Sequence, residues 1–162
     1  MIDTTDRKIL DLLQRNAKLS NAELAEAVGM NASSVFERVK KLERRGIITG
    51  YVATVDAEKL GKPLLAFQRL TVESNPQQDF DTTLDLIHKA CMEEPDILEC
   101  HNVAGEDCLI IKVRAGGPKQ LEKQLSRIKR LAKSSRSVTS IVLSTYKETS
   151  KVEPEGDDAR AD

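Results

Sequence analysis

Two clusters in this 162-residue sequence carry residue types at spacings that chemistry could use. The first is sulfur and imidazole: Cys91, Cys100, His101 and Cys108, with His88 nearby. Zinc sites pair their donors at C-x-x-C or H-x-x-H spacing so that two ligands reach one ion, and neither spacing occurs here. Cys100 and His101, adjacent on what reads as a strand, also point to opposite faces. The thiols are read as small buried apolar groups, and no metal and no cofactor is expected. A catalytic set is not expected either. His88 falls on the apolar side of a helical pattern and reads as a core or interface residue, and His101 has no evident nucleophile partner. Glu93-Glu94 and Glu106-Asp107 are chain neighbours that need not converge on one atom, and no glycine-rich phosphate loop appears. The protein is not expected to be an enzyme.

The second cluster is hydroxyls followed by cations. At 100° per residue, Ala32, Val35, Phe36, Val39 and Leu42 form one apolar stripe of a helix. The opposite face gathers Ser33, Ser34, Glu37, Lys40, Lys41 and Arg44, flanked by Arg38 and Arg45; residues 37–45 hold five basic and two acidic side chains. Short hydroxyls near a helix N-terminus let the backbone approach base edges, and longer cations behind them reach phosphates. Asn31, Ser33, Ser34, Glu37, Arg38, Lys40, Lys41 and Arg44 are therefore the candidate DNA-binding residues. Glu37 fits that face if it accepts from a cytosine amine or pairs with Lys41 one turn on.

Such a face needs elements to hold it. Thr5 is the expected cap of a first helix with Ile9, Leu10, Leu12 and Leu13 inward, ending near Asn16. Ser20 and Glu23 make the capping-box spacing of a short second helix, with Leu24, Ala25 and Val28 inward and Gly29 at its end. Asn31 caps the third helix, which runs to about Arg45 before Gly46. Ala25 followed four residues later by Gly29 suits two helices that cross closely through a sharp turn, which is helix-turn-helix geometry. Residues 50–55 alternate as a strand, and 56–63, with Gly61 and Pro63, read as a linker. Beyond it the order becomes strand (64–73), helix (80–92), strands (97–104 and 108–114) joined at Gly105-Glu106-Asp107, helix (120–133) and strand (137–146). This βαββαβ order is the ferredoxin-like split arrangement. Its two helices cover one sheet face, so the other face is expected to be covered by a second copy.

The fold class expected is α+β, an N-terminal helix-turn-helix domain joined to a C-terminal ferredoxin-like βαββαβ domain. Residues 1–50 form the DNA-binding domain, 51–62 the strand and linker, and 63–147 the oligomerisation domain. Residues 148–162 carry two basic and six acidic side chains with little to bury, and are expected to be a disordered acidic tail. Lys and Arg number 25 against 26 Asp and Glu, which excludes a polybasic coat; the two Tyr, three Phe and absent Trp exclude a base-stacking single-strand binder. Apolar runs reach about four residues where a membrane span needs about 20, so no membrane partner is expected. The opening Met-Ile-Asp-Thr-Thr-Asp lacks the basic and apolar regions of a signal peptide, and a cytoplasmic, nucleoid-associated protein is expected.

Asp6-Arg7-Lys8-Ile9-Leu10, Leu19-Ser20-Asn21 and Val39-Lys40-Lys41-Leu42-Glu43-Arg44-Arg45-Gly46-Ile47-Ile48 resemble the DNA-binding domain of the Lrp/AsnC (leucine-responsive, feast/famine) family of transcriptional regulators. Glu99-Cys100-His101-Asn102-Val103-Ala104-Gly105 resembles that family's regulatory domain, and the likeness covers about residues 3–147. It implies double-stranded DNA as partner, a dimer built through the regulatory sheets and often extended to an octamer, and an amino-acid effector bound between subunits, which makes residues 63–147 the regulatory, effector-binding domain as well as the oligomerisation domain. It places effector contacts at Gly105, Glu106, Asp107, Cys108, Thr139 and Ser140. Gly105 and Glu106 keep the family pattern, whereas Asp107 stands where an aromatic is common and Cys108 where an Asp is. Two functions stay open on these residues: a sequence-specific regulator answering to an amino acid or related small molecule, or an effector-independent protein of the same fold that compacts DNA.

Overall fold

The computed structural model describes residues 2–72, 80–131 and 136–154. Three helices open the chain: α1 (Thr4–Arg15), α2 (Asn21–Val28) and α3 (Ala32–Arg44). The N-cap of α1 is Asp3 rather than Thr5. Its carboxylate accepts from the Asp6 N–H, and the Asp6 carboxylate accepts from the Asp3 N–H in return. A carboxylate at both ends of the box favours the helix N-terminus more than a hydroxyl does, because it also meets the positive end of the helix dipole. Helix α2 carries the expected Ser20–Glu23 box and ends at Gly29 with φ of 71°, a left-handed cap that only glycine adopts without strain. Ile9, Leu10, Leu24, Ala25, Val35 and Leu42 form the core between the helices.

The chain divides into two compact units, Met1–Thr54 with Lys147–Asp162, and Val55–Tyr146. The second unit contains β1 (Leu64–Thr71), α4 (Phe80–Glu93), β2 (Ile97–Asn102), β3 (Leu109–Ala115), α5 (Pro118–Leu131) and β4 (Arg136–Ile141). The four strands make one antiparallel sheet in the order β2-β3-β1-β4, which is the ferredoxin-like order. Alternation sends Leu70, Ile111 and Val113 to the helix-covered face, where they meet Ile87, Cys91, Leu121 and Ile128. The other face presents Phe67, Arg69, Ile110, Lys112, Val138 and Ser140 with no covering element among the described residues.

Three expectations change here. Residues 50–55 join no strand ladder within the described chain: alternation supplies the propensity, but a strand needs a neighbour in register, and Val52 stays 82% exposed. The linker is partly folded, because Lys62 N–H donates to the Ala57 carbonyl (2.8 Å) and the Lys62 ammonium pairs with Asp96. Asp96 also accepts from Gln124 (2.7 Å) and Gln120 (2.9 Å), so this end of the connector is held by the second unit. The tail is not free along 148–154. Gln14 donates its amide to the Val152 carbonyl (2.9 Å) and accepts from the Val152 N–H (2.8 Å), while Lys151 pairs with Asp11 at 2.7 Å. A side-chain amide that satisfies both main-chain groups of one residue is a contact that composition cannot reveal. Residues 155–162 lie outside the described residues.

Candidate nucleic-acid interface and effector loop

Helix α3 owes its position to its caps. Asn31 Oδ1 accepts from the Ser34 N–H (2.7 Å) and from the Ser33 hydroxyl (2.8 Å), so the Asn31 side-chain oxygen organises the first turn instead of pointing outward. Val35 and Leu42 anchor the helix in the core. Ser33, Glu37, Lys40, Lys41 and Arg44 are exposed on the opposite side, and Ser34 is half-exposed beside them. No ion pair holds Lys40, Lys41 or Arg44 among the described residues, so these three cations are available to an external anion. The Glu37–Lys41 pair is not formed. Arg38 stands apart from the other cations: its guanidinium donates to Asp3 at 2.6 Å and to Asp6 at 2.7 Å, tying α3 to the cap of α1. These carboxylates hold the Arg38 pKa above its ordinary value, and the Asp6 N–H and Arg38 hold that of Asp3 below its own. Arg38 is therefore a strut of the helix-turn-helix.

Phe36 departs from expectation on this face. Helical spacing puts it in the apolar stripe, yet it is 42% exposed, with the Lys40 ammonium 5.2 Å from its ring centroid. It lies at the margin of the stripe, where a helical wheel does not decide between core and surface. Tyr51 turns back on the same unit, donating its hydroxyl to Glu43 (2.9 Å); burial and that carboxylate push its pKa up to about 12.

The second candidate site is the β2–β3 turn. Gly105 has φ of 151°, and a Cβ added there would meet nothing within 4 Å, so the turn is open and its backbone can be approached closely. The Glu106 carbonyl accepts from the Thr71 hydroxyl at 3.3 Å, which fixes the turn on the end of β1 while its carboxylate is exposed. Asp107 is not free to receive a ligand alone, because Arg69 donates to it at 3.3 Å across the uncovered face. Cys108 does not line the turn. Its sulfur accepts from the Val72 N–H (3.4 Å), its N–H donates to the Leu70 carbonyl (2.7 Å), and its side chain packs on the core of the second unit. Thr139 and Ser140 pair with Gln68 and Phe67, so they point to opposite sheet faces. Ser140 shares the uncovered face with Arg69 and Asp107; Thr139 does not. One chain brings Gly105, Glu106, Asp107 and Ser140 to one side and leaves them unenclosed.

Residues 2–49 match the winged helix-turn-helix DNA-binding family, and residues 65–152 match the Lrp/AsnC ligand binding domain. The chain belongs to the Lrp/AsnC family of transcriptional regulators. Among its relatives are the leucine-responsive regulatory protein of Haemophilus influenzae, 34% identical with 91% of this chain and 87% of that protein covered, and the regulator LrpA of Mycobacterium tuberculosis, also 34% identical, covering 90% and 92%. A transcriptional regulator from Neisseria meningitidis, solved in complex with L-methionine, superposes with a TM-score of 0.84 at 25% identity, covering 94% of this chain and 96% of that one. This Lrp/AsnC regulator thus joins a DNA-binding helix-turn-helix to the family's ligand-binding domain. The ligand-binding match runs to residue 152, the residue that pairs with Gln14. No helix among the described residues is long and apolar enough to cross a membrane.

Proposed function

We propose that the protein is a dimeric, sequence-specific regulator that reads duplex DNA through α3 and changes its assembly or DNA affinity when an amino acid binds at the Gly105–Asp107 turn. The observation that carries the DNA reading is the separation of cations on α3: Arg38 is consumed by Asp3 and Asp6, while Lys40, Lys41 and Arg44 remain on one exposed face behind Ser33 and Ser34. Residues 1–50 supply this contact, and residues 63–147 supply dimerisation and the effector site. A second copy seated on the uncovered sheet face would bury Phe67, Ile110 and Val138 and enclose the turn. Glu106 then takes the ammonium group, and the N–H groups beside Gly105 take the carboxylate; an unpaired charge in such a cleft would cost several kcal/mol. The N. meningitidis relative with L-methionine supports an amino acid as the class of effector. Catalysis has no part in this reading, which places the protein on the chromosome in the cytoplasm.

A second reading rests on one observation. With Asp107 already neutralised by Arg69 and Cys108 turned inward, the turn offers one free carboxylate, which also suits a DNA-compacting protein without an effector. Thermal-shift measurements with each of the twenty amino acids at millimolar concentration separate the two, since a ligand that binds only the folded state adds stability of RT ln(1 + [L]/Kd). A rise with one or a few amino acids is expected. No rise, together with an unchanged oligomer distribution in sedimentation, favours the architectural reading.

A further inference from the structure

Cys91 lies on α4 within the core of the second unit, among Leu70, Ile87 and Ile111, and is 4% exposed. Cys100 lies on β2 opposite Ile111, past an irregularity between Ile97 and Glu99, and packs on the same core from the strand side. The two thiols pack on one core from α4 and from β2, and each shifts the titration of the other. The pair is unequal. The neighbouring Cys100 and burial keep the Cys91 proton in place and raise its pKa, whereas Cys91, with help from His101, pulls Cys100 down to about 7. Cys100 also lines a cleft of about 450 Å³ bordered by Asp81, Asp85 and His88 of α4 and Asn102 of β2, whereas Cys91 does not. Cys108 meets the same core, but the Val72 main chain engages its sulfur.

We propose that Cys91 and Cys100 form a peroxide-reactive dithiol, in which Cys100 is the attacking sulfur reached through the cleft and Cys91 resolves the product into a disulfide joining α4 to β2. The features required are an accessible nucleophilic sulfur and a resolving thiol already beside it. In the first step the Cys100 thiolate attacks one oxygen of hydrogen peroxide. The O–O bond breaks, the second oxygen departs as hydroxide and is protonated to water, and Cys100 becomes a sulfenic acid. In the second step Cys91 loses its proton as its sulfur attacks that of Cys100; the S–S bond forms, and the sulfenic oxygen leaves as water. Two thiols and one peroxide give one disulfide and two waters, with two electrons passing from sulfur to oxygen.

The test uses the full chain and hydrogen peroxide. Free thiols, counted after denaturation, are expected to fall from three to one per chain. A non-reducing peptide map should join the Cys91 peptide to the Cys100 peptide, and dithiothreitol should restore all three thiols. Cys108→Ser should lose two thiols as the parent does; Cys91→Ser should stop at a Cys100 sulfenic acid that dimedone traps; Cys100→Ser should keep both remaining thiols. The parent map decides the matter even if the buried Cys91→Ser substitution fails to fold. Three surviving thiols at a peroxide concentration that oxidises glutathione would overturn the proposal. So would a link through Cys108, links between chains, or sulfinic acid at Cys100 without a disulfide.

Discussion

The exposed face of α3 and the Gly105–Asp107 turn are both charged and open, but they stand in opposite states. On α3 the cation nearest the α1 cap, Arg38, is locked to Asp3 and Asp6, and Lys40, Lys41 and Arg44 are left for a ligand. On the turn the cation Arg69 is spent on Asp107, and Glu106 alone keeps an uncommitted carboxylate. A surface built for a polyanion can be complete in one chain, because every phosphate brings the same charge. A site for a zwitterion must hold both signs at a fixed separation, and this chain by itself presents that arrangement in part. On the proposed reading, the DNA contact is complete in the protomer and the effector site is completed by assembly.

Substitutions can break that contrast. The largest effect is expected from the double variant Lys41→Ala/Arg44→Ala, which should weaken binding to all duplexes. It should also flatten the dependence of log K on log salt by about two units for each bound protomer, one for each phosphate that is no longer neutralised. Gel shifts across a salt series check this, and parental affinity would sink the assignment of α3. Arg38→Ala should act differently. It leaves the buried Asp6 carboxylate with only the Asp3 N–H, so unfolding should cost about 1–3 kcal/mol less, with the salt slope almost unchanged; denaturant titration read beside the same gel shifts tells the two apart. On the turn, Gly105→Ala or Glu106→Ala should abolish an amino-acid-induced rise in Tm while effector-free DNA binding persists. Cys108→Ser should retain that rise, because its sulfur faces the core.

Titration sharpens the comparison further. A thiol reacts as its thiolate, and the neighbours of Cys100 pull its pKa down to about 7, so its alkylation rate by iodoacetamide should climb as pH rises through 7 and level off above it. Cys91 is held in its thiol form and should contribute little over that range. A rate that keeps climbing through a pH of about 8.5, as for an unperturbed thiol, contradicts the inequality of the pair. The smallest effect belongs to Phe36→Ala, which removes one exposed ring and its stacking against Lys40. It should change DNA affinity by less than about tenfold and leave the fold intact, measured by gel shift and circular dichroism.

What can be read from the sequence follows the separation of the partners along the chain. The Ser20–Glu23 box, the glycine ending α2, the Asn31 cap and the cationic face of α3 are set by neighbours within about one turn, and all are present. The order of strands and helices in the second unit is legible too, because alternation and helical spacing are local. Arg38 reads as a DNA contact only because its acceptors lie 35 and 32 residues upstream, beyond the reach of a helical wheel. Spacing assigns His88 to the core or an interface, and of these the single chain excludes the core, because His88 is exposed at the mouth of the α4–β2 cleft. The inward turn of Cys108 depends on Val72, and the docking of Val152 depends on Gln14, 138 residues away. Gln68 and Gln124 fall at inward positions of β1 and α5 by spacing, but their polar side chains give no sign of burial.

The pairing of Gln14 with Val152 couples the folding of the two units. The chain leaves the first unit at Thr54 and returns at Lys147, so the second unit is an insertion within the first. If that insertion were unfolded, docking Val152 would mean closing a flexible loop of about 90 residues, at an entropic cost of about 4 kcal/mol. Two exposed hydrogen bonds contribute about 1 kcal/mol each and an exposed ion pair less, so the contact could not hold. Once the insertion folds, the separation of its ends is fixed and most of that cost disappears. The residues around Val152 thus act as a cooperativity element: they engage α1 only in a molecule whose regulatory domain is already native.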